Sequence, residues 1–219
     1  MERSLKIERS LKVERAWATT GVVATTGLIA EVLDWVTALP PSIAETLSLS
    51  YEANVPTWYA SSLLLACAFA CGRAAPVTRT PTRWRVLSGV FAFMSLDEAI
   101  EIHEHLGGLF EGSGVLFFSW VIPASILVLA IGLAMLPLVS ALRGRWRTLV
   151  VLAGAIYVGG ALLMELPLGW WTERHGDDNL VYGLLDWVEE TLELLGATLF
   201  LITTWRLAES GEHDDEVVA

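Results

Sequence analysis

Cysteine is almost missing from this chain. Of 219 residues only Cys67 and Cys71 are cysteine. Four positions apart on one apolar stretch, with no partner elsewhere, they exclude a disulfide framework, and small core residues are the expectation over a metal-binding pair. Histidine is nearly as scarce, with four in all: His103, His105, His175 and His213. Basic residues number 14 against 25 acidic ones. No basic groove can be drawn from them, so nucleic acid is not a partner.

Known catalytic signatures are also missing. His103-Glu104-His105 is not the His-Glu-x-x-His of zinc proteases, and no Gly-x-Ser-x-Gly occurs. Three well-placed imidazoles for a membrane zinc hydrolase cannot be assembled, because His213 lies in the C-terminal tail and His175, beside Asp177 and Asp178, reads as a solvated loop residue. Glu111-Gly-Ser-Gly114 has no strand before it and reads as a turn, not a phosphate loop.

What the chain does have is apolar length. It is 54% hydrophobic and 18% charged, with repeated runs close to the ~20 residues that carry a helix across a bilayer. The expected fold is an all-α polytopic membrane protein. Six transmembrane helices are predicted: Ala16 to Leu39, Thr57 to Gly72, Val86 to Phe110, Leu116 to Leu142, Thr148 to Leu168, and Leu180 to Leu207. Pro40-Pro41 stops the first, and Pro123 and Pro137 are expected to kink the fourth. Residues 1–15, with the imperfect repeat Glu2-Arg-Ser-Leu-Lys-Ile and Glu8-Arg-Ser-Leu-Lys-Val, form a lead-in whose apolar residues do not share a helical face. Residues 16–207 are one membrane domain, and 208–219 an acidic tail. A cleaved signal peptide is not expected, since the first apolar run carries Glu31 and Asp34.

The charges orient these spans. All but one of the 14 basic residues fall before the first span, between the second and third, between the fourth and fifth, or at the end of the sixth. Only Arg174 is left for the other side. By the positive-inside rule both termini are cytoplasmic, in the cytoplasmic membrane of a bacterium or archaeon. The ten tryptophans give the same topology. Trp17, Trp84, Trp146 and Trp205 mark inner ends, and Trp35, Trp58, Trp120, Trp170 and Trp171 outer ends, with Trp187 deeper.

The third span carries the feature that demands an explanation. Val86 to Leu96 is too short to cross alone, so the span has to run on through Asp97, Glu98, Glu101, His103, Glu104 and His105. On a continuous helix Asp97, Glu101 and Glu104 fall within roughly 60° of one another, with Glu98 and His105 on a flank and His103 pointing away. Asp186, Glu189, Glu190 and Glu193 repeat the pattern Asp-x3-Glu-x2-Glu on the sixth span, while Glu31, Asp34 and Glu165 sit near the outer ends of the first and fifth. Ionisable groups at such depth are costly and point to a functional site facing the outer side. So many carboxylates repel one another unless protons or cations compensate them. Asp97, Glu101, Glu104, His105, Glu165, Asp186, Glu190 and Glu193 are the candidate metal ligands, with Glu31, Asp34, Glu98, His103 and Glu189 as supporting or alternative ligands. Oxygen donors with a histidine favour iron, manganese or zinc.

The order Glu31, then Glu101 and Glu104 with His105, then Glu165, then Glu190 and Glu193 resembles the ligand order of ferritin-like di-iron carboxylate proteins. The departure is that neither helix has a true Glu-x-x-His and the sixth span has no histidine. Leu-Asp-Glu-x4-His-Glu from Leu96 to Glu104, with Glu-Glu-x-x-Glu from Glu189 to Glu193, is also similar to multi-pass bacterial membrane proteins. That similarity implies no defined activity. The function expected is a metal-dependent membrane enzyme, hydrolase or oxidoreductase, acting on a lipid-like or periplasmic substrate. The alternatives are a cation or proton-coupled transporter using the same cluster, and a non-catalytic membrane subunit. Partners beyond the lipid bilayer would be further copies of the chain or a membrane complex.

Overall fold

A computed structural model describes residues 2–37, 40–102 and 112–210, with side chains from Val13 onward. Every regular element among the described residues is helical. In order these are α1 (Glu2–Thr37), α2 (Pro41–Leu47), α3 (Val55–Ala74), α4 (Pro81–Ile100), α5 (Val121–Ala141), α6 (Gly144–Val158), α7 (Glu165–His175) and α8 (Leu180–Ser210). Single 3-10 turns lie at Ala75–Val77 and Gly114–Leu116. A π-helical stretch, Gly159–Met164, joins α6 to α7.

Among the described residues five segments are long and apolar enough to cross a bilayer: Val13–Thr37, Val55–Val77, Val121–Ala141, Gly144–His175 and Leu180–Ser210. The chain is a helical membrane protein. α4 has 20 residues but carries Arg83, Arg85, Asp97 and Glu98, and is not one of the five.

The ends of the helices follow local chemistry. Asn54 caps α3 by accepting from Thr57 N at 3.0 Å, and Pro56 occupies the first turn, where no backbone donor is needed. Asn179 does the same for α8, accepting from Tyr182 N at 3.0 Å, and is itself held by Trp171 Nε1 at 2.9 Å. The last carbonyls of α5 are taken up by Arg147, whose Nε and Nη2 donate to Val139 O, Leu142 O and Ser140 O.

α8 is the central helix, packed against α1, α3, α6, the π-helical stretch and α7, while α3 and α4 form a hairpin. Lipid is as apolar as leucine, so small residues that let backbones approach are the main source of helix association in a membrane. Cys67, Cys71, Ala74, Ala153 and Ala197 are almost fully buried at these contacts. The two cysteines are free and buried, as small core residues.

Several boundaries differ from the sequence expectation. The helix of the third span takes in Asp97 and Glu98 but does not run on unbroken: α4 ends at Ile100, and Glu101 is left-handed at φ 56°, ψ 43°, its N–H bonded to Asp97 O at 2.7 Å. Asp97 and Glu101 therefore do not share one continuous helical face, and Glu104, expected beside them, lies outside the described residues. α5 begins at Val121, not Leu116, which puts Pro123 in its first turn, where it does not kink the helix. The fifth span continues to His175, and the lead-in is part of α1 from Glu2. The loop after the first span contains α2, and Ser48 and Leu49 behind it are buried. Trp84 and Trp146, expected at inner ends, are packed in the core at 0% and 2% exposure. Trp17, Trp35, Trp58 and Trp170 are the exposed ones.

Candidate functional site

The acidic residues gather around α8. Asp186, Glu189, Glu190 and Glu193 cover about two turns of it, and each flank meets a different neighbour. On one flank Glu189, 7% exposed, has Glu165, Glu193 and Asp186 as charged neighbours. Glu165, 8% exposed, comes from the start of α7. On the other flank Glu190 has Glu193, Glu98, Asp186 and Glu52 around it. Tyr157 donates its hydroxyl to Glu193 and lies near Glu98 and Glu190. Tyr182 has Asp186, Glu165 and Glu189 as neighbours.

Two backbone features make this crowding feasible. Cβ atoms are missing where α8 comes closest to its neighbours: one at position 160 would stand 2.7 Å from Glu189 O, and one at position 196 would stand 2.6 Å from Tyr157 N. The π-helical stretch between Gly159 and Met164 then inserts an extra residue into the turn before Glu165. An insertion of that kind rotates everything after it by about 100°. Pro167, which cannot donate to a carbonyl one turn back and would clash with it, lies two residues past Glu165 and gives the helix a reason to widen there.

Glu31 occupies a third position, against Gly183 of α8. It is 5% exposed, and its carboxylate accepts from Ser48 Oγ at 2.6 Å and from Trp35 Nε1 at 3.2 Å. Asp34, one turn on, faces Tyr51 with Glu31, Glu45 and Asp178. Burial first, and then these four carboxylates led by Asp34, push the Tyr51 phenol above its ordinary value.

Of the candidate ligands, Glu98, Glu165, Asp186, Glu189, Glu190 and Glu193 are thus brought together. Glu31 and Asp34 belong to a neighbouring group beneath α2. Asp97 and Glu101 are half-buried at the end of α4. His103, Glu104 and His105 lie outside the described residues, as do Glu111 and His213. Among the described residues no group of three His, Cys, Asp or Glu side chains is arranged to hold a metal ion. His175 stacks on Trp171 with ring centroids 4.0 Å apart, at the exposed end of α7.

Sequence reasoning missed the hydroxyl and indole donors: Tyr157, Tyr182, Ser48 and Trp35. Only the proximity of Trp35 to Glu31, one helical turn apart, was a signal available in the sequence.

The profile of the domain of unknown function DUF8692 matches residues 16–207. The chain belongs to the DUF8692 family. No curated protein matches it, and no solved structure does. In this member of DUF8692 the match takes in every carboxylate of the cluster around α8, together with Glu31, Ser48, Tyr157 and Tyr182.

Proposed function

We propose that this chain is a six-span protein of the bacterial or archaeal cytoplasmic membrane, with both termini in the cytoplasm. In this reading the carboxylate network in the outer half of the bilayer binds and passes on protons, and the protein is a proton-coupled carrier of a cation or small solute.

Glu189 carries the reading. It is 7% exposed, its charged neighbours are Glu165, Glu193 and Asp186, and its Oε2 has no hydrogen-bond partner among the described residues. Carboxyl groups placed in this way at membrane depth hold and share protons as a set rather than one by one. The hydroxyls of Tyr157 and Tyr182 beside them supply donors that can follow a proton's movement.

Infrared spectroscopy of the reconstituted protein tests this directly. The carboxylic C=O band, which only a protonated carboxyl gives, is expected at neutral pH and loses intensity in Glu189→Gln. If the two spectra coincide across the pH range, Glu189 holds no proton and the reading fails.

A second reading is favoured by a different observation. Glu98, Glu190 and Glu193 meet near the end of α4, and His103, Glu104 and His105 follow a few residues later in the chain. A metal-dependent enzyme using iron, manganese or zinc would complete its site from those residues. Stoichiometric metal in the purified protein, lost in Glu98→Ala/Glu190→Ala, would establish it. Metal-free protein with unchanged folding in both forms would remove it.

A further inference from the structure

Three hydroxyls from three different helices form one chain inside the bundle. Thr20 of α1 is fully buried, and its Oγ1 lies 2.7 Å from the Tyr59 hydroxyl of α3 and 2.6 Å from Thr198 Oγ1 of α8, which is also fully buried. Threonine in a helix usually turns back on a carbonyl of its own preceding turn. Thr19, Thr37 and Thr172 do so here. The bonds of Thr20 and Thr198 cross between helices instead.

The chain runs away from the carboxylates. Tyr59 is near the start of α3, two residues past Thr57, whose Oγ1 donates to Glu52 at 3.3 Å, and Glu52 is one of the charged neighbours of Glu190. Two turns further along α3, Cys67 Sγ is 3.4 Å from Ala197 O, beside Thr198. Thr198 itself is about 8 Å along the axis of α8 beyond Glu193. Past it on α8, Thr203 and Thr204 are buried, and Thr204 Oγ1 has no hydrogen-bond partner among the described residues.

We infer that Tyr59, Thr20 and Thr198 are the inward arm of a proton path that starts at the carboxylates around Glu189 and Glu190. This rests on the proton-coupled reading above. Each hydroxyl has one proton to donate and two lone pairs to accept with. A proton arriving on the Tyr59 oxygen forms a new O–H bond there as Tyr59 releases its own proton to Thr20 Oγ1. Thr20 passes its original proton to Thr198 Oγ1, and Thr198 releases one inward toward water or the buried hydroxyls of Thr203 and Thr204 further along α8. One proton enters and one leaves, nothing is oxidised or reduced, and rotation of the three hydroxyls resets the chain.

The test uses the full chain in proteoliposomes with a trapped pH-sensitive dye, driven by an imposed potential or a Na⁺ gradient. Melting of each variant in detergent is followed by tryptophan fluorescence. Glu189→Gln, Thr20→Val and Thr198→Val are each expected to lose about tenfold or more in proton flux, about 1.4 kcal/mol in barrier, with melting preserved. Thr20→Ser and Thr198→Ser keep the hydroxyl and are expected to stay near wild type. Wild-type flux in both valine variants, with flux lost in Glu189→Gln, overturns the hydroxyl path alone. Wild-type flux in Glu189→Gln, or none in the wild type, overturns the proposed function and the path together. Serine variants as slow as the valine ones assign the positions to packing by the threonine methyl, which also overturns the path. Should the valine variants not fold, Tyr59→Phe removes one hydroxyl from the same chain without changing ring packing, and wild-type flux in it overturns the path.

Discussion

Gly160 lies so close to Glu189 that a Cβ on it would stand 2.7 Å from the Glu189 carbonyl oxygen and 2.9 Å from Glu193 Cγ. The π-helical stretch and α8 are in backbone contact at the level where the carboxylates converge. Gly160→Ala forces that contact open. The expected cost is about 1–3 kcal/mol, the usual range for overpacking. Gly154→Ala, in open space within the preceding helix, is the control and is expected to melt at or above the wild-type temperature, because alanine is the better helix former. Equal melting of both variants would contradict the close approach.

Ser48 is the donor that lets Glu31 be buried. Its Oγ is 2.6 Å from Glu31 Oε2, and both residues are almost wholly enclosed. Ser48→Ala leaves a carboxylate oxygen without this partner, at an expected cost of about 1–3 kcal/mol. Combining it with Glu31→Gln, which removes the charge, is expected to recover part of that loss. Additive losses in a double-mutant cycle would show that the pair is not coupled.

Glu101 stands in a conformation that costs a side-chain-bearing residue about 1–2 kcal/mol relative to the right-handed helix. Its φ of 56° is one that glycine adopts freely. Glu101→Gly is therefore expected to melt higher than Glu101→Ala by about 1 kcal/mol. The opposite order would mean that α4 continues through this position as an unbroken helix, since there alanine is the better residue.

Tyr51 reports the charge beneath α2. Because its phenol is raised in the folded protein, its stabilising contribution is complete below the unfolded value of 10.0 and is lost as pH climbs through the folded one. Tyrosinate absorbance, taken as wild type minus Tyr51→Phe, is expected to appear above pH 10.0. In an Asp34→Asn background the same signal is expected at lower pH. A titration unmoved by Asp34→Asn would remove that carboxylate from the Tyr51 environment.

The carboxylate row of α8 could be read directly, because Asp186, Glu189, Glu190 and Glu193 sit at helical spacing in a long apolar stretch and their helix is unbroken. The third span could not be read in the same way. Its helical wheel assumed a right-handed residue at Glu101, and nothing in the side chain of a glutamate announces a left-handed one. The orientation of Glu165 was illegible for a related reason: it depends on the π-helical stretch, and Gly159, Gly160 and Pro167 permit that stretch without specifying it.

By itself the sequence determined that the chain is a set of apolar helices, roughly where each lies along the chain, and that acidic residues fall within them. Those properties depend on hydropathy, proline and capping residues, all of which act over a turn or two of chain. The tertiary structure alone decided which carboxylates share a neighbourhood, and that tyrosine, serine and tryptophan stand beside them. It also decided that Tyr59, Thr20 and Thr198 meet across three helices. Such meetings depend on the rotation of each helix about its axis and on how closely two backbones approach. A single glycine or one extra residue in a turn sets both, and hydropathy is indifferent to either.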